Sequence, residues 1–398
     1  MTAHTAPPPI GSVVLDLTHR AESAARIAAA NADAVDREAR FPSEAFAALR
    51  AERLLGILAP ADLGGEGATV SDVVDICYAL GRACASTAMI FAMHQIMVAI
   101  LVRHAANSPW HQRLLRRLCA EQMLLASSTT DGLGGGDLRA STCAVATTGS
   151  RIALEKNAAV VSYGAEGDAI LTTARRSPDA GAADQVLVAF VRDDYSLERT
   201  GTWDALGMRG TCSAGFALKG EGDAEQVLPV PYPKILSQSM MPIAHLTWSG
   251  VWSGVAAGAV ERARSFLRTA SRRSGGQLPP GAAHLTRATG SLRTLRGLVA
   301  SELQRFEKAA GNGEELERME FQAALNLLKV NASELAVATV MSALQASGLS
   351  GYRNDGDFSV TRHLRDILSA PIMINNDRIL TNAATAALLV EVPARLRN

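Results

Sequence analysis

Paired hydroxyls followed by a run of glycines, Thr129-Thr130-Asp131-Gly132-Leu133-Gly134-Gly135-Gly136-Asp137, are well suited to hold a ligand. Small side chains let backbone N–H groups and hydroxyls approach a flat ring or a pyrophosphate closely. A flexible hairpin loop would use the same residues. The run is not a nicotinamide-dinucleotide fingerprint, which needs a strand, a G-x-G-x-x-G turn and a helix in one βαβ unit. Here the glycines separate strand-like segments. Histidine is a natural proton acceptor near neutral pH. His94 and His245 sit in helical patterns, where packing is the competing explanation. The five cysteines form no Cys-x-x-Cys pair and no Cys/His cluster, so no metal site is expected.

The elements that must position these residues are mostly helical. Apolar residues make up 48% of the 398 and aromatics only 5%, a composition built on Ala, Leu and Val that favours helices. Acidic and basic residues balance at 39 each, which leaves no electrostatic footprint for nucleic acid. No charged leader precedes an apolar segment, and no uninterrupted apolar run reads as a bilayer span, so a cytoplasmic protein is expected. Helical periodicity covers residues 21–103 with one turn-rich break at Pro60–Ala68. A long helix is expected over 71–94 and another over 110–121. Between residues 124 and 231 the texture turns β-prone, with short runs at 151–154, 158–162, 169–173, 185–191 and 216–218 and a hairpin tip at 177–184. Four long helices are then expected over 243–273, 282–311, 316–348 and 362–391. The domains are 1–123 (helical), 124–236 (β, barrel-like) and 237–398 (helical bundle).

Five separated motifs, in order, resemble the acyl-CoA dehydrogenase family. They are Phe41-Pro42 with Leu54-Leu55-Gly56 and Pro60 through Gly67; the glycine run, similar to T-E-P-G-x-G-S-D; Trp203-Asp204-Ala205-Leu206-Gly207-Met208-Arg209-Gly210-Thr211-Cys212-Ser213, similar to W-D-x-L-G-M-R-G-T-x-S; Gln345 through Tyr352, similar to Q-x-x-G-G-x-G-Y; and Arg362-His363-Leu364-Arg365-Asp366, similar to R-x-x-R-D. The resemblance spans about residues 25 to 385. It implies a mainly α fold with a β insert and a C-terminal four-helix bundle, a homodimer or homotetramer, and FAD held between the β domain and the bundle. It implies that Thr129, Thr130, Gly135 and Gly136 lie along the flavin and that Ser162 faces its N5 edge, with Val160 where an aromatic is usual. It also implies cofactor contacts from Gln345, Gly348 and Arg272. The family's R-x-x-F-G segment keeps its arginines here but not its phenylalanine, so FMN is the alternative cofactor.

The resemblance breaks at the catalytic base. Nine residues beyond the R-D pair, where most members carry a glutamate, stands Ile374, and the alternative site on the first C-terminal helix matches Ala244. Neither can accept a proton. Three explanations follow. The base has moved, to His245 or Asp377, each of which also reads as an ordinary helix residue. Or the chain is a two-component monooxygenase that takes reduced flavin from a reductase and activates O2, with His94 facing the flavin. Or it binds without turnover. Oxidation of an acyl thioester, on CoA or an acyl-carrier protein and with an electron-transfer partner, ranks just ahead of the monooxygenase.

Overall fold

The computed structural model describes residues 10–131 and 138–390, with side chains from residue 16 onward. Five helices open the chain: α1 (Ile10–Glu38), α2 (Ser43–Ala51), α3 (Val70–Ala83), α4 (Ala85–His104) and α5 (Pro109–Glu121). The middle region holds β1 (Leu125–Ser128), β2 (Ala146–Thr148), β3 (Arg151–Val161), β4 (Ala169–Arg175), β5 (Gln185–Val191), β6 (Tyr195–Arg199) and β7 (Ala214–Asp223). The C-terminal region holds α6 (Tyr232–Ile235), α7 (Met241–Arg273), α8 (Ala282–Ala309), α9 (Gly313–Glu317), α10 (Met319–Tyr352), α11 (Thr361–Ile367) and α12 (Asn376–Leu389). The expected helix–sheet–helix order is present.

The expected 71–94 helix is two helices. Thr69 caps α3 through a reciprocal capping box with Asp72, and extended backbone at Cys84 separates α3 from α4. Apolar sequence runs through that break, so periodicity alone hides it. By length and composition α4 and α10 could each cross a bilayer, contrary to the expectation, but α4 lies almost wholly in the core. An apolar surface on every side is what a helix surrounded by protein requires.

The β region is two sheets, with strand orders β1-β4-β5 and β2-β3-β7-β6, rather than a closed barrel. The expected hairpin joins β4 to β5, paired antiparallel from Ala169↔Val191 to Arg175↔Gln185. The two runs expected over 151–162 are one strand, β3, whose inward positions alternate through Lys156.

In the bundle, α7 packs against α3, α4, α8 and α10. Gly250, Gly254 and Gly258 recur every fourth residue on α7 and lie against Val74, Tyr78 and Arg82 of α3. This small-residue stripe lets the two helix backbones approach closely. The single helix expected over 362–391 is instead α11 and α12. Between them Pro371 intervenes, and Ile374 and Asn375 adopt left-handed backbone, with φ of 49° and 57°.

Candidate functional site

Three chain segments converge where the β region meets the bundle. The first leaves β1. Ser128 is buried with no partner for its hydroxyl among the described residues, and Thr129 and Thr130 follow, half-buried. Asp131 then makes a buried ion pair with Lys156 of β3 at 3.1 Å and accepts from the Ser141 and Thr142 hydroxyls and the Thr142 N–H. The Lys156 ammonium also donates to the carbonyls of Ser128 and Thr173. Burial lowers the Lys156 pKa. Burial acts to raise the Asp131 carboxyl, but the Thr142 N–H and the ammonium outweigh it and leave the carboxyl below its ordinary value. This knot fixes both shores of the glycine run. Gly135 and Gly136 themselves lie outside the described residues.

The second segment is the tryptophan-initiated motif. Ser162, half-buried at the end of β3, shares a 2.8 Å hydrogen bond with Ser213, which shares a 2.7 Å bond with Thr211. The third segment meets the second directly. The Met208 N–H donates to the Asp366 carboxylate at 2.7 Å, and Gly207 lies against the carbonyl of Arg365 with no room for a Cβ. Arg209 donates to the Asp36 carbonyl, while Arg362 pairs with Asp33 and Arg365 with Asp36 on α1. The two most legible motifs are thus one inter-domain joint. Three large apolar side chains stay exposed along these segments: Val160, Leu206 and Ile372. A flat ring with a polar edge fits apolar surface of this kind beside a hydroxyl relay.

Between the β region and the bundle, two adjoining cavities of ≈ 80 and ≈ 410 Å³ share Arg139, Leu236, Met241 and Asn326. Leu236 opens a single π turn, Leu236–Met240, and Met241 follows it; such a local widening of the helix is common at functional sites. Ile374 and Arg378 line the smaller cavity. The described residues lining either cavity include no aspartate or glutamate.

The structure does not bring the three catalytic candidates together. His94 is buried, its Nε2–H donates to the Leu55 carbonyl at 2.8 Å, and its Nδ1 accepts the Leu125 N–H at 3.0 Å. A backbone amide can only donate, so the tautomer is fixed and no nitrogen remains for catalysis. Burial pushes its pKa down to about 4. His94 is therefore a structural joint, which corrects the flavin-facing role expected for it. His245 is likewise buried and pushed down to about 4; its Nδ1 donates to the Leu325 carbonyl, its Nε2 has no partner among the described residues, and it lines neither cavity. Asp377 is exposed in the first turn of α12, again outside both cavities.

Arg272, Gln345 and Gly348 are exposed together at the far end of the bundle. Arg272 shares a groove with Ala282, and neighbouring Gly281 abuts Ala346. Gly348 kinks α10, with φ of 53°. Sequence reasoning missed Lys329, fully buried on α10. Its ammonium donates to Asn376 at 2.6 Å and stands 5.7 Å from the Trp252 ring centre, and burial pushes its pKa down to about 8. Lysine five residues before Glu334 in a helical run carried no signal of burial, since that spacing also suits a solvated face.

The model of the acyl-CoA dehydrogenase N-terminal domain matches residues 18–122, and that of the C-terminal domain matches residues 246–374. The chain is 26% identical to the amino sugar nitrososynthase DnmZ of Streptomyces peucetius, over 92% of this chain and 90% of that protein. It is also 26% identical to a cyclohex-1-ene-1-carbonyl-CoA dehydrogenase of Geobacter metallireducens, over 89% of this chain and 92% of that protein. In fold it is similar to FMN-bound TdsC from Paenibacillus sp. A11-2, with a TM-score of 0.83 at 19% identity, covering 95% of this chain and 98% of that one.

Proposed function

We propose, from the premise that this chain belongs to the acyl-CoA dehydrogenase family, that it is a flavin-dependent monooxygenase supplied with reduced flavin by a separate reductase. The observation that carries this reading is the wall of the crevice. Ile374 and Met241 face it, Ala244 is buried beside His245, and no carboxylate lines either cavity among the described residues. Removing an α-proton from a thioester needs a positioned base; inserting oxygen next to a flavin does not. The nitrososynthase relative supports the same direction.

A bound reduced flavin, FMN or FAD, would supply the two electrons that let one atom of O2 enter the substrate while the other leaves as water. Thr129 and Thr130 would hold it, on a base fixed by the Asp131–Lys156 pair. The Ser162 hydroxyl, held by Ser213 and Thr211, would donate a hydrogen bond at the ring edge. Ile374 and Met241 would keep bulk water from the reacting atoms. Arg272, Gln345 and Gly348 stand apart from that rim, and a second copy of the chain would bring them to it. A homo-oligomer, a flavin reductase and a cytoplasmic location belong to this reading.

The second reading is α,β-dehydrogenation of a thioester, which the sequence alone favoured and which the 26%-identical CoA dehydrogenase supports. Anaerobic mixing separates the two. Flavin-loaded protein should keep its yellow absorbance when octanoyl-CoA or cyclohexene-carbonyl-CoA is added without oxygen. Bleaching by either thioester would overturn the monooxygenase. Failure of the protein to bind FMN or FAD, oxidised or reduced, would overturn both.

A further inference from the structure

Lys329 of α10 is fully buried, yet among the described residues no carboxylate pairs with it. Its ammonium donates to the Asn376 carboxamide oxygen at 2.6 Å and stands over the Trp252 ring. The Asn376 carboxamide in turn donates to the Ser333 hydroxyl at 3.0 Å, and that hydroxyl donates to the Val330 carbonyl at 2.7 Å. Glu334, the acid that acts on the ammonium, is exposed, where solvent screens it. Burial pushes the lysine down to about 8, which leaves it charged at neutral pH. A buried cation without a counter-ion is costly, and an apolar side chain of similar size would suit stability at least as well. Stability therefore does not account for the charge.

Three elements tie Lys329 to the crevice wall. Asn326, three residues earlier on α10, lines both cavities. Asn376, which holds the ammonium, follows Ile374 by two residues and closes its turn by donating its N–H to the Pro371 carbonyl at 3.1 Å. On α7, His245 stands four residues after the cavity-lining Met241; burial first, and the charge of Lys329 after it, keep its imidazole neutral. We infer that Lys329 supplies a fixed positive charge behind the crevice wall, which favours the reduced, anionic ring of a bound flavin over the oxidised, neutral one. The inference rests on this crevice being the flavin site of the proposed flavoenzyme. Two electrons and one proton turn the neutral ring into that anion, so a nearby cation strengthens binding of the reduced form without touching it. Low-dielectric walls focus such a field. At an effective dielectric near 20, a unit charge about 10 Å away shifts an equilibrium by roughly tenfold. A bias of this sign suits a chain that takes up flavin already reduced and releases it oxidised.

The test is anaerobic titration of the full-length protein at pH 7 with oxidised FMN and, separately, with photoreduced FMN; FAD is run in parallel. Lys329→Met removes the charge at similar volume. It should cut the preference for the reduced form, read as the ratio of the two dissociation constants, by about tenfold, equivalent to about 30 mV in the midpoint potential of the bound flavin. Asn376→Asp sets a carboxylate against the ammonium. It should cut the ratio likewise, and it keeps the test decisive should the Lys329→Met variant fail to fold. Lys329→Arg keeps the charge and should keep most of the preference. If both forms weaken alike in Lys329→Met, the lysine is merely structural and the inference is overturned. A preference lost equally in Lys329→Arg would overturn it too, since shape and not charge would then decide. Wild-type protein that binds neither form would overturn the flavoenzyme itself. Wild-type binding with an unmoved ratio in both neutralising variants would overturn the role of Lys329 alone.

Discussion

Asp131 carries two duties that its sequence position does not advertise. It neutralises a buried ammonium, and it anchors both ends of the segment expected to lie along the cofactor. Removing one partner of a buried pair leaves the other charge uncompensated. Asp131→Asn should therefore lower unfolding free energy by about 3–5 kcal/mol in urea titration; an unchanged midpoint would show that Lys156 has another counter-charge. Ile374 tells a second residue-scale story. A β-branched residue at φ of 49° is held in strained backbone. Ile374→Gly should cost much less than the roughly 2–5 kcal/mol typical of truncating a packed isoleucine, because relief of strain offsets lost contacts. A full-sized loss in the same titration would mean that no strain is stored there. Ile374 was legible as a departure from the family pattern, since a motif count finds it. Its backbone was not, because isoleucine rarely adopts positive φ and nothing nearby signals it. His94 was misread for a related reason: sequence shows a histidine in a helix, but not the carbonyl and amide that other segments bring to its two nitrogens.

At the scale of elements, the glycine stripe of α7 marks a close helix contact with α3. A Cβ at position 254 would strike the Tyr78 carbonyl and the backbone of Arg82. Gly254→Ala should therefore lower the melting temperature, with an overpacking cost of about 1–3 kcal/mol, although alanine is the better helix former. A rise in melting temperature would show that propensity wins and that α3 yields. Helices of the bundle were legible because their apolar periods are long and interrupted by Gly and Pro. The break between α11 and α12 was signalled by Pro371 but overridden by the apolar run on either side. Strand β3 was split in the reading because Glu155-Lys156-Asn157 looks like a turn; only the buried partner Asp131 makes an inward lysine tolerable. The short strands β1, β2 and β6 carry too few residues for alternation to show.

For the molecule as a whole, buried histidines set the response to acid. Burial pushes His94, His104, His111 and His245 down to about 4, and pushes His363 well below its ordinary value. Their folded pKa values lie below the unfolded value of 6.5, so the stability they contribute is complete above that pH and is lost as pH falls through about 4. Asp366 has the opposite sign. Burial raises its carboxyl from 3.8 to about 6, so its contribution is complete below 3.8 and is lost as pH rises through 6. Asp75, Glu166 and Glu302 are raised by burial as well, in the same sense as Asp366, but the five histidines outnumber these four carboxyls, and the urea midpoint should fall between pH 7 and pH 5. Asp366→Asn, which preserves an acceptor for the Met208 N–H, should steepen that fall; a shallower profile would show that Asp366 is not an opposing group. That same carboxylate sits where the first, middle and last thirds of the chain are stitched together, through Asp33 and Asp36, Met208 and Arg209, and Arg362 and Arg365. Regions laced at one point cannot come apart in stages. Calorimetry should record one endotherm in place of three, and a protease should find no long-lived half-molecule to release.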